Sequence, residues 1–394
     1  MPFSTARKLS RRAFVVSSLG SALALRGSGV EGVAVLKTPD RGLQPQAVVD
    51  RKGVIHMVFL AGDPAASAVY YVRKSPRAEG FSPPIRVNSV RGAAIAVGTV
   101  RGAHLALGRS ERVHVAWNGS SSAETKGPAG SAPLFYSRMN DAGVSFEPER
   151  NLMNVSSGLD GGGTIAADGE GNVYVTWHGQ PTGVHTPEGE GSRRVWLAHS
   201  EDEGKTFGEE AAVSPRQTGV CGCCGMGALC DHEGNLYLMY RSAQNLVHRD
   251  MHLLASRDCG KTISASKLDS WEIGGCPMST VSLTESRAGV FAAWENAKQI
   301  YFARLDPRTL AAGQPIAAPG DGSNRKHPSV AVNRNGEMVL AWTEGTGWKK
   351  GGVVVAQTLD RGGSPVGKPM NRIPIPAWGF AAAVAVGDRF LVVS

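Results

Sequence analysis

The amino-acid sequence predicts an all-β protein, a β-propeller of seven four-stranded blades around a central channel. A unit of two apolar stretches joined by a short turn recurs seven times, at intervals of roughly 50 to 60 residues. The 394 residues include 50 Gly and show no long amphipathic helical pattern. The seventh unit has only two strands, so the segment Val30–Lys37 is predicted to join this C-terminal blade and close the ring.

Each unit begins with a strand that is expected to line the channel, and a hairpin turn rich in Asx and Gly returns the chain in an antiparallel second strand. Four second strands end in Trp and one ends in Tyr240, so large rings are expected to fill the same layer of the core. The predicted first strands are Gln46–Asp50, His104–Gly108, Thr164–Asp168, Gly227–Asp231, Thr280–Glu285, Ser329–Asn333 and Ala381–Val386. The predicted second strands are Val54–Leu60, Val113–Trp117, Val173–Trp177, Leu236–Tyr240, Val290–Trp294, Met338–Trp342 and Phe390–Val393.

A third strand follows in most units and runs into a turn with a recurring pattern. The residues of its two best copies are Ser200, Asp202, Gly204, Thr206 and Phe207, and Ser256, Asp258, Gly260 and Thr262. This pattern resembles the Asp-box, Ser-x-Asp-x-Gly-x-Thr-aromatic, of the sialidase superfamily. The carboxylate is expected to accept hydrogen bonds across a tight turn between the third and fourth strands, with the aromatic ring packed beneath. The motif therefore has a structural role.

The resemblance to sialidases implies a six-bladed propeller, which is the alternative to seven blades, and a glycoside hydrolase activity. Active members of that superfamily use three arginines for the substrate carboxylate, a late Tyr nucleophile with a Glu partner, an Asp as acid and base, and an early Arg-Ile-Pro motif. Here Arg-Ile-Pro occurs only at Arg372–Pro374, and no Tyr follows Tyr301. The sialidase catalytic residues are therefore not carried over to this chain.

Residues 1–30 match a twin-arginine signal peptide. The segment Ser10–Val16 contains the Arg-Arg pair, and a modest apolar run continues to Leu25. This run is too short for a stable membrane span, so no span is expected in the mature protein. We therefore expect a single propeller domain over residues 31–394, located in the periplasm or secreted.

The net charge of +8 is concentrated in the leading segment. Its five basic residues are Arg7, Lys8, Arg11, Arg12 and Arg26, which leaves +3 for the remainder of the chain. No basic stripe with interleaved aromatic residues appears, so nucleic acid is not an expected partner.

Polar residues just after the second strands are expected to surround the channel mouth, on the face opposite the Asp-box turns. Glu295 and Glu344 are candidate catalytic carboxylates for acid and base work on a glycoside, with solvated loop positions as the alternative. Arg241 is a candidate clamp for a substrate carboxylate, or the partner of Glu295 in a salt bridge. The candidate ligand-binding residues are Asn118, His178, Arg241, Glu295 and His327.

The grouping of cysteines is the strongest chemical signal. Four of the six precede the first strands of two adjacent blades, and their soft sulfur ligands suit copper as Cu(I) or zinc as Zn(II), with a nearby His as nitrogen ligand. Disulfide bonds are the alternative, because an oxidising compartment permits them. The candidate metal ligands are Cys221, Cys223, Cys224, Cys276 and Met278. Cys230 and Cys259 are expected at the opposite end of blade 4 and are given no role.

Three functions agree with these residues. The preferred one is an exported propeller that binds a ligand or a soft metal at its Cys-rich mouth without hydrolysing glycans. The others are a divergent glycoside hydrolase and a protein-binding platform, which leaves no local mark in a sequence. The expected partner at the mouth is accordingly a small molecule, a glycan or a metal ion.

Overall fold

A computed structural model describes residues 33–98, 100–183 and 189–394. These residues form seven small sheets arranged as the blades of a propeller, which confirms the predicted all-β class and the seven-bladed ring. The six-bladed alternative is wrong, because the two ends of the chain together make a seventh sheet. The predicted signal peptide lies outside the described residues. Among the residues described, no helix is long and apolar enough to cross a membrane.

In blades 1 to 4 the strands pair in chain order, and the first strands of neighbouring blades contact one another around the centre. The strands of blade 1 are Leu43–Val49, Ile55–Ala61, Ala68–Lys74 and Ile85–Arg86. Those of blade 2 are His104–Leu107, Val113–Asn118, Leu134–Arg138 and Arg150–Asn151. Those of blade 3 are Thr164–Ala167, Val173–Pro181, Arg194–Ser200 and Ala211–Ala212, with Ser156–Ser157 beside the second strand. Those of blade 4 are Gly227–Cys230, Leu236–Arg241, Met251–Ser256 and Ser264–Asp269.

Blades 5 to 7 complete the ring. The strands of blade 5 are Val281–Ser286, Gly289–Asn296, Gln299–Leu305 and Ile316–Ala317. Those of blade 6 are Arg325–Val332, Met338–Glu344, Gly352–Leu359 and Pro365–Val366, with Ile373–Ile375 beside the third strand. Those of blade 7 are Ala382–Val386, Arg389–Val393 and Val33–Leu36. Short 3-10 turns occur at Pro39–Arg41, Arg109–Glu111, Pro128–Gly130, Gly189–Ser192 and Arg216–Thr218.

The ring closes through a strand from the start of the described chain. Val33–Leu36 pairs in parallel with Arg389–Val393, so that Val33 lies opposite Phe390 and Leu36 opposite Val393. Backbone bonds extend the pairing, because Ser394 N donates to Leu36 O at 3.1 Å. The predicted closure by an N-terminal strand is therefore confirmed.

The hydrophobic core is divided among seven seams, each between two neighbouring blades. In blades 2 to 6 the ring near the end of the second strand fills the seam with the preceding blade, as Trp117 does between blades 1 and 2 and Trp177 between blades 2 and 3. Trp117, Trp177 and Trp294 are completely buried. Each blade interface therefore has its own core, which lets a chain of this length form one ring.

The two Asp-box turns have the same hydrogen bonds. In blade 3, Asp202 Oδ1 accepts from Ser200 Oγ at 2.8 Å and from Thr206 N at 2.8 Å, and Asp202 Oδ2 accepts from Thr206 Oγ1 at 2.7 Å. In blade 4, Thr262 donates to both carboxylate oxygens of Asp258, at 2.8 and 2.7 Å. These bonds stabilise the ionised form, so Thr262 lowers the pKa of Asp258 to about 2.

Candidate metal centre at the channel mouth

Two segments that precede first strands bring the mouth cysteines together. Cys221–Cys224 precedes the first strand of blade 4, and Cys276 precedes that of blade 5. Gly225 N donates to Ser279 O at 2.9 Å, which ties the first segment to the neighbouring blade. Adjacency of the two blades therefore makes neighbours of thiols that are distant in the sequence.

The sulfur atoms lie close together without being bonded. Cys221 Sγ is 3.5 Å from Cys223 Sγ and 3.4 Å from Cys224 Sγ, and all six cysteines are free thiols. The sulfurs of Cys221, Cys223 and Cys276, together with a carboxylate oxygen of Glu190, lie within 4.8 Å of one another. Cys221 is buried and Cys276 is exposed, so this set of four donors reaches from the interior to solvent.

Glu190 is the member of this set that sequence reasoning missed. It lies in the 3-10 turn Gly189–Ser192, in the loop that follows the second strand of blade 3. Gly222 N donates to Glu190 Oε1 at 2.8 Å, and Arg249 Nη1 donates to Glu190 Oε2 at 2.6 Å. The loop was recognisable as a Gly- and Glu-rich insertion on the mouth face, but nothing in its sequence selects this carboxylate over its neighbours.

The thiols of the cluster interact electrostatically. Hydrogen bonding from Cys221 lowers the pKa of Cys276 to about 6, which favours a thiolate at the exposed end. Hydrogen bonds with Cys223, Cys224 and Cys276, together with burial, raise the pKa of the Cys221 thiol. The guanidinium of Arg249 lies near the thiols of both residues and adds positive charge beside them. The cluster therefore supplies ligand atoms for a cation. The positive charge of Arg249 reduces the repulsion between thiolates.

Two of the predicted metal ligands stand outside the set of four. The Cys224 sulfur lies 3.4 Å from Cys221 Sγ and is buried like it, but it does not belong to the set of four donors. Met278 lines the central cavity at the mouth, next to Cys223. Cys223 therefore connects the thiol cluster to the cavity, and Met278 faces the same space.

The cavity at the mouth is narrow. It has a volume of about 30 Å³, which accommodates a water molecule or an ion but is far below the roughly 300–1,000 Å³ typical of small-molecule sites. Its walls come from five blades. The lining residues are Gly98, Val100, Arg101, Cys223, Met278, Lys326, His327, Thr346, Gly347, Trp348 and Trp378.

The two predicted histidines are buried and neutral. His178 Nε2 accepts a hydrogen bond from Gly161 N at 3.2 Å, and its other ring nitrogen lies 3.2 Å from Arg193 Nη1. His327 stacks on Phe380 and borders the cavity, and its Nδ1 has no hydrogen-bond partner among the described residues. Burial lowers the pKa of His327 to about 3 and that of His178 well below its usual value. Neither ring carries a positive charge at neutral pH.

Arg241 and Glu295 belong to the ends of second strands and are buried beneath the mouth. Arg241 donates to the backbone carbonyls of Arg249, at 2.8 Å, and of Glu295, at 2.5 Å, and its guanidinium lies over the Trp271 ring. Glu295 is completely buried, and neither carboxylate oxygen has a partner among the described residues. Burial raises the pKa of Glu295 to about 7. Arg241 thus holds main-chain carbonyls rather than pairing with the carboxylate of Glu295.

Glu344 differs from Glu295 in its surroundings. One of its carboxylate oxygens accepts from Trp342 Nε1 at 3.0 Å and lies 3.4 Å from Arg325 Nε, and the other pairs with Arg372. Burial acts to raise its pKa, but the bonds from Trp342 and Arg372 prevail and lower it. Both carboxylates are buried strand residues, so the expectation of solvated loop positions is wrong.

Asn118 also ends a second strand and is buried, and its side-chain NH2 donates to Asp160 O at 3.0 Å. Of the five predicted ligand-binding residues, only His327 therefore borders the mouth cavity. The remaining four, Asn118, His178, Arg241 and Glu295, are buried and do not line it.

No sequence model of a known family matches this chain, and no curated protein matches it in sequence. Solved structures share its fold. An α-L-arabinanase of Penicillium chrysogenum, solved with arabinobiose, is 13% identical, with a TM-score of 0.52 over 80% of this chain and 94% of that chain. A GH93 α-L-arabinofuranosidase of Fusarium graminearum, solved with the same ligand, is 9% identical, with a TM-score of 0.51 over 81% and 94% of the two chains.

A fungal alcohol oxidase of the AA5 family, solved with copper, is 14% identical, with a TM-score of 0.52 over 91% of this chain and 70% of that chain. Sialidases are also among the structures matched. At these identities the likeness concerns the fold alone. The propeller fold that the Asp-box resemblance implies is confirmed, with seven blades and a cluster of thiols at one mouth.

Proposed function

We propose that this chain is an exported propeller that binds one soft or borderline metal ion, Cu(I) or Zn(II), at its channel mouth. Cys221, Cys223, Cys276 and Glu190 are the ligands. The observation that carries the proposal is the convergence of these four donor atoms within 4.8 Å of one another. Thiolates select Cu(I) and Zn(II) over harder cations, and the carboxylate is compatible with zinc in particular.

The spacing of the sulfur atoms supports a metal site rather than a disulfide bond. Tetrahedral zinc with Zn–S bonds of about 2.3 Å places its sulfurs about 3.8 Å apart. Cys221 and Cys223 are 3.5 Å apart, so an ion fits between them after a shift of a few tenths of an ångström. A disulfide would need the sulfurs to approach to about 2 Å.

The residues that contact the metal ligands also favour a bound cation. Glu190 is held by Arg249 and by the backbone of Gly222, so it needs little reordering to act as a ligand. Three thiolates and a carboxylate carry four negative charges, which a metal ion and the adjacent Arg249 offset. The exposed Cys276 offers a path for the ion from solvent.

Metal analysis and thiol counting test this proposal together. Protein purified from the periplasm without chelators should contain about one metal ion per chain, and after denaturation with a chelator it should show six titratable thiols. Cys221→Ser should lose the metal. Cys259→Ser, in the Asp-box turn of blade 4, is the control and should retain it. Protein without metal, in which the four mouth cysteines form two disulfides, would exclude the metal site.

A divergent glycoside hydrolase is the second candidate, favoured by one observation. Glu295 is a buried carboxyl with no hydrogen-bond partner among the described residues, and burial raises its pKa to about 7, as a general acid requires. The narrow mouth cavity argues against it, since a sugar ring does not fit in about 30 Å³. Glycosides should be screened with the wild type, Glu295→Gln and Glu344→Gln. Turnover that is unaltered in both variants would remove the two as a catalytic pair.

A further inference from the structure

The turns between third and fourth strands close the blade seams on the face opposite the mouth. In blade 2, Phe146 packs edge-on against Tyr71 of blade 1, with ring centroids 5.6 Å apart. In blade 3, Phe207 packs in the same way against Tyr136 of blade 2, at 4.8 Å. Blades 1 to 5 all insert an apolar side chain into the seam with the preceding blade. These residues, called the seam plugs here, are Phe81, Phe146, Phe207, Ile263 and Leu310.

Among the residues that the structure describes, blade 6 has no seam plug. Phe207 and Ile263 each stand five positions after the Asp that organises the turn, and the corresponding residue after Asp360 is Pro365. Asp360 organises a tight hairpin turn, in which its Oδ1 accepts from Gly362 N at 2.8 Å and from Ser364 N at 2.9 Å. Pro365 lies opposite Leu359, which belongs to the core of the seam between blades 5 and 6. Pro365 is exposed and contributes nothing to the seam between blades 5 and 6.

A cavity of about 480 Å³ opens beside this turn and is lined by Arg361, Gly362 and Gly363. Its apolar lining includes Phe291, Phe302, Ile316 and Met338, and Ile316 is 41% exposed. The volume lies within the range of roughly 300–1,000 Å³ that is typical of ligand sites, unlike that of the narrow mouth cavity. The seam therefore contains a preformed apolar socket in the place that an aromatic ring occupies between blades 2 and 3.

Four arginines surround the socket. Arg287, Arg304, Arg334 and Arg361 line the cavity, and all four are exposed. Arg334 makes a weak, solvent-exposed pair with Asp388 at 3.6 Å. The other three form no ion pair with any described residue. Asp360, which precedes Arg361, accepts backbone bonds of its own turn, and no acidic residue is among the described residues that line the cavity. The apolar socket therefore has a strongly positive rim.

We propose that this socket is a docking site for an acidic segment of another protein, which inserts one aromatic side chain and pairs its flanking carboxylates with the arginine rim. The missing seam plug defines the shape of the inserted group. The planar guanidinium fork of Arg matches carboxylates in bidentate pairs. The chain's own leading segment is excluded as the occupant by its charge, because residues 1–30 contain five basic residues and no acid. A sulfated glycan would supply the negative charge but no apolar group to fill the socket.

Fluorescence anisotropy with a labelled pentapeptide tests this site. The probe is Asp-Glu-Phe-Asp-Glu, and the controls replace its Phe by Ala or its four acids by Lys. The full-length mature protein should bind the probe at least tenfold more tightly than either control at low ionic strength. The affinity should fall as NaCl is raised, because exposed charge pairs are screened. Equal binding of the probe and the Ala control would overturn the role of the socket.

Three variants locate the binding. Arg304→Glu/Arg361→Glu should weaken binding of the probe at least tenfold, whereas Arg77→Glu, an exposed control on blade 1, should leave it unchanged. Pro365→Phe restores the missing seam plug and should block the probe while leaving the charged rim intact. Thermal unfolding of each variant verifies that the ring is folded. If binding survives in both Pro365→Phe and the double variant, the site is elsewhere and the proposal fails.

Two further ligands separate the alternative occupants. Dextran sulfate is compared with the probe on the wild type and on Pro365→Phe. If it binds both proteins as tightly as the probe binds the wild type, the site is a simple polyanion surface and the proposal is contradicted. Phenylacetate that displaces the probe at concentrations near the dissociation constant of the probe would indicate a small-molecule site instead. Weak displacement, at least a hundredfold poorer, is expected, because a single carboxylate cannot engage several arginines.

Discussion

Arg249 Nη1 lies 2.6 Å from Glu190 Oε2 and connects a loop of blade 3 to the segment that precedes the third strand of blade 4. The other oxygen of Glu190 accepts from Gly222 N at 2.8 Å, within the cysteine segment itself. Two contacts from different parts of the chain thus fix one carboxylate beside three thiols. Arg249 is a positioning residue for the candidate metal centre, since it acts on the metal through Glu190.

Arg249→Gln is expected to weaken metal binding without abolishing it. Loss of a residue that orients a metal ligand typically reduces affinity by about 10- to 100-fold. Competition against a chromophoric chelator measures the change, and Arg257→Gln, on the Asp-box turn of blade 4, is the matched control. Glu190→Gln should have at least as large an effect. An unchanged affinity in Arg249→Gln would show that Glu190 does not depend on this contact, or that it is not a ligand.

Glu295→Gln is expected to stabilise the fold at neutral and alkaline pH. The pKa of Glu295 is raised from 4.5 to about 7, so its ionisation destabilises the folded state increasingly as the pH rises from 4.5 to 7. The variant should therefore gain stability of about 3 kcal/mol at pH 8 and almost none at pH 4.5. Urea unfolding at the two pH values measures the difference. Equal stability of the wild type and Glu295→Gln at pH 8 would indicate that the Glu295 carboxylate is paired in solution.

Glu344→Gln should have the opposite effect. The pKa of Glu344 is lowered, so its ionised form contributes stability above its ordinary pKa of 4.5, and that contribution is lost as the pH falls. The variant loses two ion pairs and should be less stable by about 2 kcal/mol at pH 7, with a smaller loss at pH 4. Urea unfolding of the wild type and the variant at pH 7 and pH 4 measures this loss of stability. A stabilised Glu344→Gln would contradict the ion-pair account.

The sequence predicted the blades because each strand and turn is defined locally. Second strands carry an apolar run that ends in a ring such as Trp117, and turns carry Asx and Gly at fixed positions. The seven-bladed count was also predictable, since a unit with two strands needs a third from elsewhere in the chain. Val33–Leu36 supplies it. These features depend on residues that are neighbours in the chain or repeat at a constant interval.

The details of the mouth were not predictable in the same way. Arg241 and Glu295 were expected at the rim but are buried, because second strands extend past their aromatic residue by one or more positions. Glu190 belongs to an irregular loop, and its approach to Cys221 depends on how far that loop folds over the next blade. Periodicity fixes the strand on which a residue lies. It does not fix the height of a loop above the ring.

Asp202→Asn tests the structural role of the Asp-box. Burial acts to raise the pKa of Asp202, but hydrogen bonds from Thr206 and Ser200 lower it to about 2 from 3.8. The ionised carboxylate therefore contributes stability above about pH 4, and this contribution is lost as the pH falls towards 2. The variant should unfold a few degrees below the wild type at pH 7, and the gap should close near pH 2. A gap that persists at pH 2 would assign the effect to packing instead.

The proposed signal peptide should be cleaved before the strand that closes the ring. Val33–Leu36 is part of blade 7 and pairs with Arg389–Val393, so cleavage must occur before Val33 to leave the blade complete. Mass spectrometry of the periplasmic protein should find a mature N-terminus between residues 24 and 33. Arg11→Lys/Arg12→Lys should leave the uncut chain in the cytoplasm, because twin-arginine export requires the pair. Arg7→Lys is the control and should be exported normally. A mature chain that begins beyond Leu36 would mean that blade 7 closes without this strand, and a double Lys variant that is exported normally would remove the twin-arginine assignment.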